Sequence, residues 1–191
     1  MPPKKKFSKQ QIIDVAFDIA KIEGIDKITI RKVATQLGSS IAPIYVNFED
    51  VTDLIEGVIG KVVEVSQQIL SEQSSGNPFR DIGIASIRFA REYPQLFRDL
   101  VLSGNDYMKK HDGGMTEELI KLMKQDPDLE DFTNDELKDI LMKMKVFQTG
   151  LSVMVANQLL PENMSENEMV EMLNSAAEDV VIAARLRKKE K

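Results

Sequence analysis

The sequence predicts an all-α protein. Its apolar residues recur at intervals of three and four along the whole chain, and no stretch alternates in the way that strands require. No repeat occurs at the periods typical of solenoids. With 191 residues, 42% of them hydrophobic, the chain can bury one small and one medium core. We predict an N-terminal three-helix domain over residues 1–49 and a larger helical bundle over residues 50–191.

The first two predicted helices have clear start and stop signals. Ser8 and Gln11 have the spacing of a capping box, and Gly24 ends the first helix. Its inner face comprises Ile12, Ile13, Ala16, Phe17, Ile19 and Ala20. The hydroxyl of Thr29 is the predicted N-cap of a short second helix, which stops at Gly38. The inner face of this helix comprises Ile30, Val33, Ala34 and Leu37.

The third predicted helix is very short. Ser40 is its predicted cap, and it reaches Tyr45 and Val46. Pro43 is tolerated there because the amides of a first helical turn lack helical partners. Three short helices with a glycine at the second turn form a helix-turn-helix, whose third helix enters the major groove of DNA. Residues 1–49 are therefore predicted to bind DNA.

The rest of the chain predicts longer helices. Asp50 caps a helix that runs to about Gln73, and a polar break over residues 74–78 precedes a helix that ends at Tyr93, before Pro94. A polar segment with glycines at both ends predicts a loop over Gly104–Gly114. Further helices are predicted over Thr116–Lys124, Asn134–Leu160 and Ser165–Arg187.

The composition excludes several function classes. The chain has no cysteine, so disulfides, thiolate metal sites and cysteine nucleophiles are not available. The single histidine, His111, lies in the predicted loop without a second histidine as metal ligand or catalytic partner. No apolar run approaches the roughly 18 residues of a membrane span, and no signal peptide is apparent. We expect a soluble, cytoplasmic protein that is not an enzyme and uses no metal or cofactor.

Charge is distributed unevenly along the chain. The net charge of −6 by itself argues against nucleic-acid binding. Residues 1–48, however, contain eight Lys and Arg but only four Asp and Glu. The remaining residues contain seventeen Lys and Arg and twenty-seven Asp and Glu. This asymmetry predicts a small anion-binding module on an acidic body. A lysine-rich tail added for solubility would explain Lys4, Lys5, Lys6 and Lys9 but not the rest.

Residues 9–54 resemble the TetR-like family, named for the tetracycline repressor. The residues that match the family's order and spacing are Ile12-Ile13, Ala16, Gly24, Thr29-Ile30-Arg31, Val33-Ala34, Gly38, Ser40, Ile44-Tyr45 and Phe48. The resemblance implies that the chain is a sequence-specific DNA-binding transcriptional regulator. It further implies a homodimeric repressor that responds to a ligand. The implied partners are a double-stranded DNA operator and a small apolar or amphipathic effector.

The resemblance also implies which residues contact DNA. They are Lys5, Lys6, Thr29, Arg31, Ser39, Ser40, Ile41, Ala42, Pro43, Tyr45 and Asn47. Ile41, Ala42 and Pro43 would recognise base edges and, being apolar, favour the methyl groups of thymine. Arg31 would reach a phosphate or a guanine, and Asn47 stands where the family usually has a histidine. As alternatives, Thr29 and Ser40 are simple caps, Tyr45 packs, and the lysines form a solvated tail.

One segment departs from the family's pattern. After Phe48 the family usually has a proline, a serine and a lysine that binds phosphate, whereas this chain has Glu49, Asp50 and Val51. DNA affinity is therefore expected to be lower or more sensitive to salt than is usual. The departure also leaves open the alternative that the chain is a co-regulator that acts through protein contacts. A further alternative is that the chain binds a ligand but no operator.

The last two predicted helices are candidates for dimerisation. One of them is apolar along Leu137, Ile140, Leu141, Met144, Phe147, Leu151 and Met154, with Met142, Val146 and Val153 outside that stripe. The other contains Met169, Val170, Leu173, Ala176, Ala177, Val180, Val181 and Ala184. A helix that is apolar on two sides is buried on two sides, which predicts a four-helix interface across a two-fold axis. The alternative is that both faces serve one chain's core.

The family's ligand pockets lie between the fourth and eighth helices. By that implication, the candidates to line a pocket in this chain are Tyr93, Phe97, Met108, Met144, Phe147 and Leu151. Methionine-rich walls adapt to varied apolar shapes. As single residues, most of these positions are more often plain core.

Overall fold

A computed structural model of the chain describes residues 7–103 and 107–189, with the backbone alone for residues 109–113. The α-helices are α1 (Lys9–Glu23), α2 (Ile30–Gln36), α3 (Ala42–Tyr45), α4 (Val51–Ser71), α5 (Pro78–Glu92), α6 (Pro94–Phe97), α7 (Lys109–Met123), α8 (Asn134–Ala156) and α9 (Glu166–Lys189). A 3₁₀ turn covers Ile25–Lys27, and a π-helical turn, Arg98–Leu102, continues α6. No strand occurs among the described residues, which confirms the predicted fold class. In that same part of the chain, every helix is too short or too polar to cross a membrane.

The predicted start and stop signals of α1, α2 and α4 are present. Ser8 Oγ accepts from the Gln11 amide at 3.1 Å, and the Gln11 side chain accepts from the Ser8 amide at 2.9 Å. Gly24 ends α1 with a φ of 108°, a conformation that favours glycine. Thr29 Oγ1 accepts from the Lys32 amide, and Asp50 accepts from the first amides of α4.

The third helix and the seventh differ from their predictions. Ser40 does not cap α3, because the N-cap residue is Ile41 and no side chain caps this helix. The predicted loop over residues 104–114 is wrong at residues 109–114, which are helical, so His111 lies within α7. Glycine costs a helix about 1 kcal/mol relative to alanine but does not forbid it. The buried apolar residues later in α7 offset that cost.

The chain forms two compact units. The first comprises the residues as far as Gln67 together with Tyr93–Met108, and the second comprises Gln68–Glu92 and Lys109–Lys191, as far as the structure describes them. These units do not follow the predicted division at residue 49, since most of α4 and all of α6 group with the first three helices. A functional boundary at residue 49 stays a prediction.

Each unit has its own apolar core. All six predicted inner residues of α1 are buried, and the core of the first unit also includes Val33, Ala34, Ile44, Phe48 and Leu54. In the second unit α8 packs against α5, α7 and α9. Its core includes Phe79, Ile82, Met123, Leu137, Ile140, Met144 and Leu173.

Candidate nucleic-acid interface

Helix α3 presents apolar side chains to solvent. Ile44 is completely buried and fixes the helix on the first unit, whereas Ile41 and Tyr45 are 44% and 55% exposed. Ala42 is also exposed, and Pro43 is half-buried. The exposure of Tyr45 argues against the alternative that this side chain merely packs. Its contact with DNA stays a prediction.

Helix α2 brings one predicted cation to the same unit. Arg31 is exposed, and its backbone carbonyl accepts a hydrogen bond from Thr35 Oγ1 at 2.9 Å. Val33 and Ala34, on the other side of α2, are buried. The hydroxyl of Thr29 already serves as the helix cap, which is the alternative interpretation of this residue. Its contact with phosphate stays a prediction.

Two further predicted contacts have partners within the protein. The side-chain amide of Asn47 donates to the carbonyl of Pro43 at 2.8 Å and to that of Phe7 at 3.5 Å. It therefore fastens the end of α3 to the segment before α1. Ser39 Oγ donates to the Ser40 carbonyl at 2.9 Å, and Ser40 is exposed. Nothing in the sequence around Asn47 indicated this structural role.

The predicted N-terminal arm is only partly within the described residues. Lys5 and Lys6 lie outside them. Lys9, at the start of α1, holds its ammonium group 4.8 Å from the centre of the Phe48 ring. This cation–π contact links α1 to the residue that follows α3.

The start of α4 is acidic. Asp50 Oδ1 accepts from the amides of Thr52 at 2.7 Å and Asp53 at 2.9 Å, and Asp53 Oδ2 accepts from the Glu49 amide at 3.1 Å. Together with Glu56 these residues line an open surface hollow, which we call the acidic hollow. The first turn of α4 therefore carries carboxylates where the family pattern has a cation.

The segment from Tyr93 to the π-helical turn packs against α1 and the turn that follows it. Asp99 Oδ2 accepts from the Ile25 amide at 2.8 Å, at the point where α1 ends. Tyr93 meets the Phe17 ring edge-on, with ring centres 5.9 Å apart. Local sequence patterns did not predict this packing, because Ile25 and Asp99 are 74 residues apart in the chain.

The predicted pocket residues fall into both units. Tyr93, Phe97 and Met108 belong to the first unit, and Phe97 is buried there. Met144 and Leu151 are buried in the core of the second unit, with Phe147 packed against it. The pocket stays a prediction from the sequence.

Apolar side chains are exposed on both α8 and α9. Leu137, Ile140, Leu141, Met144 and Leu151 face the core as predicted, while the exposed large apolar residues are Met142, Val146 and Met154 on α8 and Met172, Ile182 and Leu186 on α9. The last three were not among the residues predicted for dimerisation. Several of those predicted on α9, such as Ala176 and Val180, pack partly against the chain's own core. We call the six exposed residues the outer face.

Known structures share this fold over most of its length. A transcriptional regulator from Rhodococcus sp. Rha1 is 16% identical, with a TM-score of 0.68 over 93% of this chain and 97% of that one. A Rhodococcus sp. protein assigned to the TetR family of transcriptional regulators is also 16% identical, with a TM-score of 0.65 over 91% and 98%.

A third similar structure was solved with a ligand. The regulator FadR from Bacillus subtilis, in complex with stearoyl-CoA, is 15% identical, with a TM-score of 0.58 over 91% of this chain and 98% of that one. No protein-family model and no curated protein sequence matches the chain. At these identities the likeness shows a shared fold.

Proposed function

We propose that this chain, which has the fold of the TetR-family transcriptional regulators, is a sequence-specific DNA-binding regulator. The observation that carries the proposal is the exposure of Ile41, the N-cap residue of α3, and of Tyr45, its last residue, while Ile44 is completely buried. The third helix of a helix-turn-helix is the one that enters the major groove. An outward apolar face at this place is suited to contacts with base edges.

The predicted base contacts favour particular sequences. Ile41, Ala42 and Pro43 can pack on thymine methyl groups but cannot donate to guanine, so we infer a preference for steps that contain A·T pairs. Arg31 supplies guanine or phosphate contact, and Tyr45, Ser39 and Ser40 bind phosphate. Lys5 and Lys6 add phosphate contacts whose strength falls with salt.

We further propose that the regulator is a homodimer formed by the outer face. Val146 is 69% exposed and Met142 is 59% exposed, on a helix whose opposite side forms the core. Apolar faces of this kind mark protein contacts, and a second copy offers an identical face across a two-fold axis. Paired recognition helices would lie about 34–36 Å apart to enter successive major grooves.

We propose, more specifically, that the regulator is a repressor that responds to a small ligand. The stearoyl-CoA bound to B. subtilis FadR supports a small-molecule effector for a protein of this fold. Helix α4 begins shortly after α3 and continues for 21 residues, so an effector bound against it can change the placement of α3. Typical couplings of this kind are about 1–3 kcal/mol.

The test is operator binding by variants of the exposed residues. A duplex selected from genomic fragments is titrated with the full chain at a stated salt concentration. Replacing both Arg31 and Tyr45 with alanine should abolish specific binding while the thermal unfolding curve is retained. Arg80→Ala, at an exposed arginine of α5, is the matched control and should bind as the parent chain does. Retained binding by the double variant would refute the site.

A co-regulator that acts through protein contacts is the second candidate. The acidic hollow favours it, because Glu49, Asp50, Asp53 and Glu56 repel the phosphates of DNA. Titration of the chain with mixed genomic fragments at low salt separates the two functions. Binding supports the operator-binding regulator, whereas a complete lack of binding supports the co-regulator.

A further inference from the structure

A groove in the second unit is lined by none of the residues predicted for DNA or effector binding. It has a volume of ≈ 290 Å³ and lies between the end of α4, α5 and the start of α9. Its apolar lining comprises Ile84, Ile87, Met169 and Val170. Charged side chains also line the groove, among them Arg88, Arg91 and Glu166. Apolar side chains together with a few polar groups are the usual lining of a small-molecule site.

The two arginines of the groove are held differently. Arg88 is doubly paired, since its Nε donates to Glu92 at 2.6 Å and its Nη1 to Glu72 at 2.7 Å. Arg91 pairs with Glu166 through Nη1 at 2.8 Å, and this is the one ion pair of Arg91 among the described residues. The side chains of Arg91 and Glu166 are 42% and 63% exposed. Arg91 is therefore the arginine whose partner is easier to exchange.

We propose that this groove binds a small amphipathic carboxylic acid. The ligand's carboxylate takes the place of Glu166 on Arg91, and its apolar part covers Ile87 and Met169. A carboxylate is suited to Arg91 because the planar guanidinium presents paired N–H donors to two oxygens. The apolar part of the ligand removes water from the new ion pair, which strengthens it relative to the exposed pair with Glu166.

Glu166 remains stabilised after this exchange. It is the first residue of α9, where the helix dipole favours a negative charge. The start of α9 does not depend on Glu166 either, since Ser165 and Glu168 form a reciprocal cap there, with distances of 2.7 and 3.2 Å. The groove therefore contains an internal carboxylate that competes with the ligand and can leave without disrupting α9.

The test is calorimetric titration of the full chain with sodium octanoate, with 1-octanol as the uncharged probe. Octanoate should bind, and octanol should bind more weakly. Arg91→Gln should weaken octanoate binding by at least about tenfold. Arg91→Lys keeps the positive charge but lacks the paired N–H donors of the guanidinium, so it should give an intermediate affinity. Glu166→Gln should tighten binding, because it removes the internal competitor. Arg80→Gln, on the same helix but outside the groove, should bind as the parent chain does.

Several outcomes would overturn the proposal. They are no octanoate binding by the parent chain, equal affinity for octanoate and octanol, and unchanged affinity in Arg91→Gln or Glu166→Gln. Thermal unfolding of each variant establishes that it is folded. Because the titration contains no DNA, its result is independent of operator binding, and a failure of one proposal does not imply failure of the other.

Discussion

Ser152 is a polar residue in an apolar interior. It is completely buried on α8, and its Oγ has no hydrogen-bond partner among the described atoms. Gln148, one helical turn earlier, is also buried. A buried hydroxyl without a partner loses its bonds to water and gains none in return. The sequence pattern of α8 gave no sign of this pair, because small and amide side chains commonly occur on either face of a helix.

Replacing Ser152 with alanine should raise the free energy of unfolding by about 1 kcal/mol, since the change removes an unsatisfied hydroxyl and adds helix propensity. Urea unfolding followed by circular dichroism measures the change. Ser165→Ala, which removes the hydroxyl that caps α9, is the control and should lower the free energy by about 1 kcal/mol. A loss of stability in Ser152→Ala would contradict the assignment of an unsatisfied hydroxyl.

At the scale of single elements, local signals predicted most of the first unit. The caps at Ser8, Thr29 and Asp50 and the break at Gly24 all lie within a few residues of the helices they delimit. The hydrogen bond between Asp99 and Ile25 could not be predicted in this way, because it depends on packing between distant segments. The early start of α7 was missed because two adjacent glycines usually indicate a break.

The ends of α1 and α2 offer a matched pair of glycine substitutions. Gly24 has a φ of 108°, and a Cβ there would meet Asp99 Oδ2 at 2.8 Å, whereas Gly38, at a φ of 61°, has open space around it. Gly38→Ala should cost about 1 kcal/mol through backbone strain, and Gly24→Ala should cost clearly more. Thermal unfolding compares the two. Equal losses would contradict the additional cost expected at Gly24 from its extended backbone at positive φ, with a ψ of 159°, and from contact with Asp99.

At the scale of the whole molecule, the proposed homodimer depends on the outer face. Introducing glutamate at both Met142 and Val146 should convert a dimer into monomers, because charges cannot be buried without partners at the centre of an apolar interface. Light scattering coupled to size-exclusion chromatography measures the mass. Gln125→Glu, at an exposed residue after α7, should leave the mass unchanged. A parent chain that is already monomeric at micromolar concentration would refute the dimer.

Acid should destabilise the protein through several carboxylates. The hydrogen bond from Lys61 lowers the pKa of Asp14, and Arg88 does the same for Glu72. Arg91 lowers the pKa of Glu166. Since these pKa values lie below the ordinary 4.5 of Glu and 3.8 of Asp, the unfolded chain binds more protons. These carboxylates stabilise the folded chain fully at a pH above their ordinary pKa values. This stabilisation is lost as the pH falls through the lowered pKa values of the folded chain.

The melting temperature should therefore fall as pH drops below about 4.5, and the fall should be smaller in Asp14→Asn, which removes one such carboxylate. Differential scanning calorimetry between pH 6 and pH 3, at low salt, measures it. Because most of these groups are exposed, added salt should reduce the effect. An identical acid response in both chains would rule out a contribution from Asp14.

The bond between Asp99 and Ile25 bears on how the protein is made. A ribosome releases the chain from its N-terminus, so the backbone amide of Ile25 emerges long before the carboxylate that it needs. The first unit can complete its packing only after the whole of α5, which belongs to the other unit, has been synthesised. All segments of the first unit are therefore present once residue 108 has been made, before α7, α8 and α9 of the second unit. A nascent chain halted before residue 99 should remain sensitive to proteases near the end of α1.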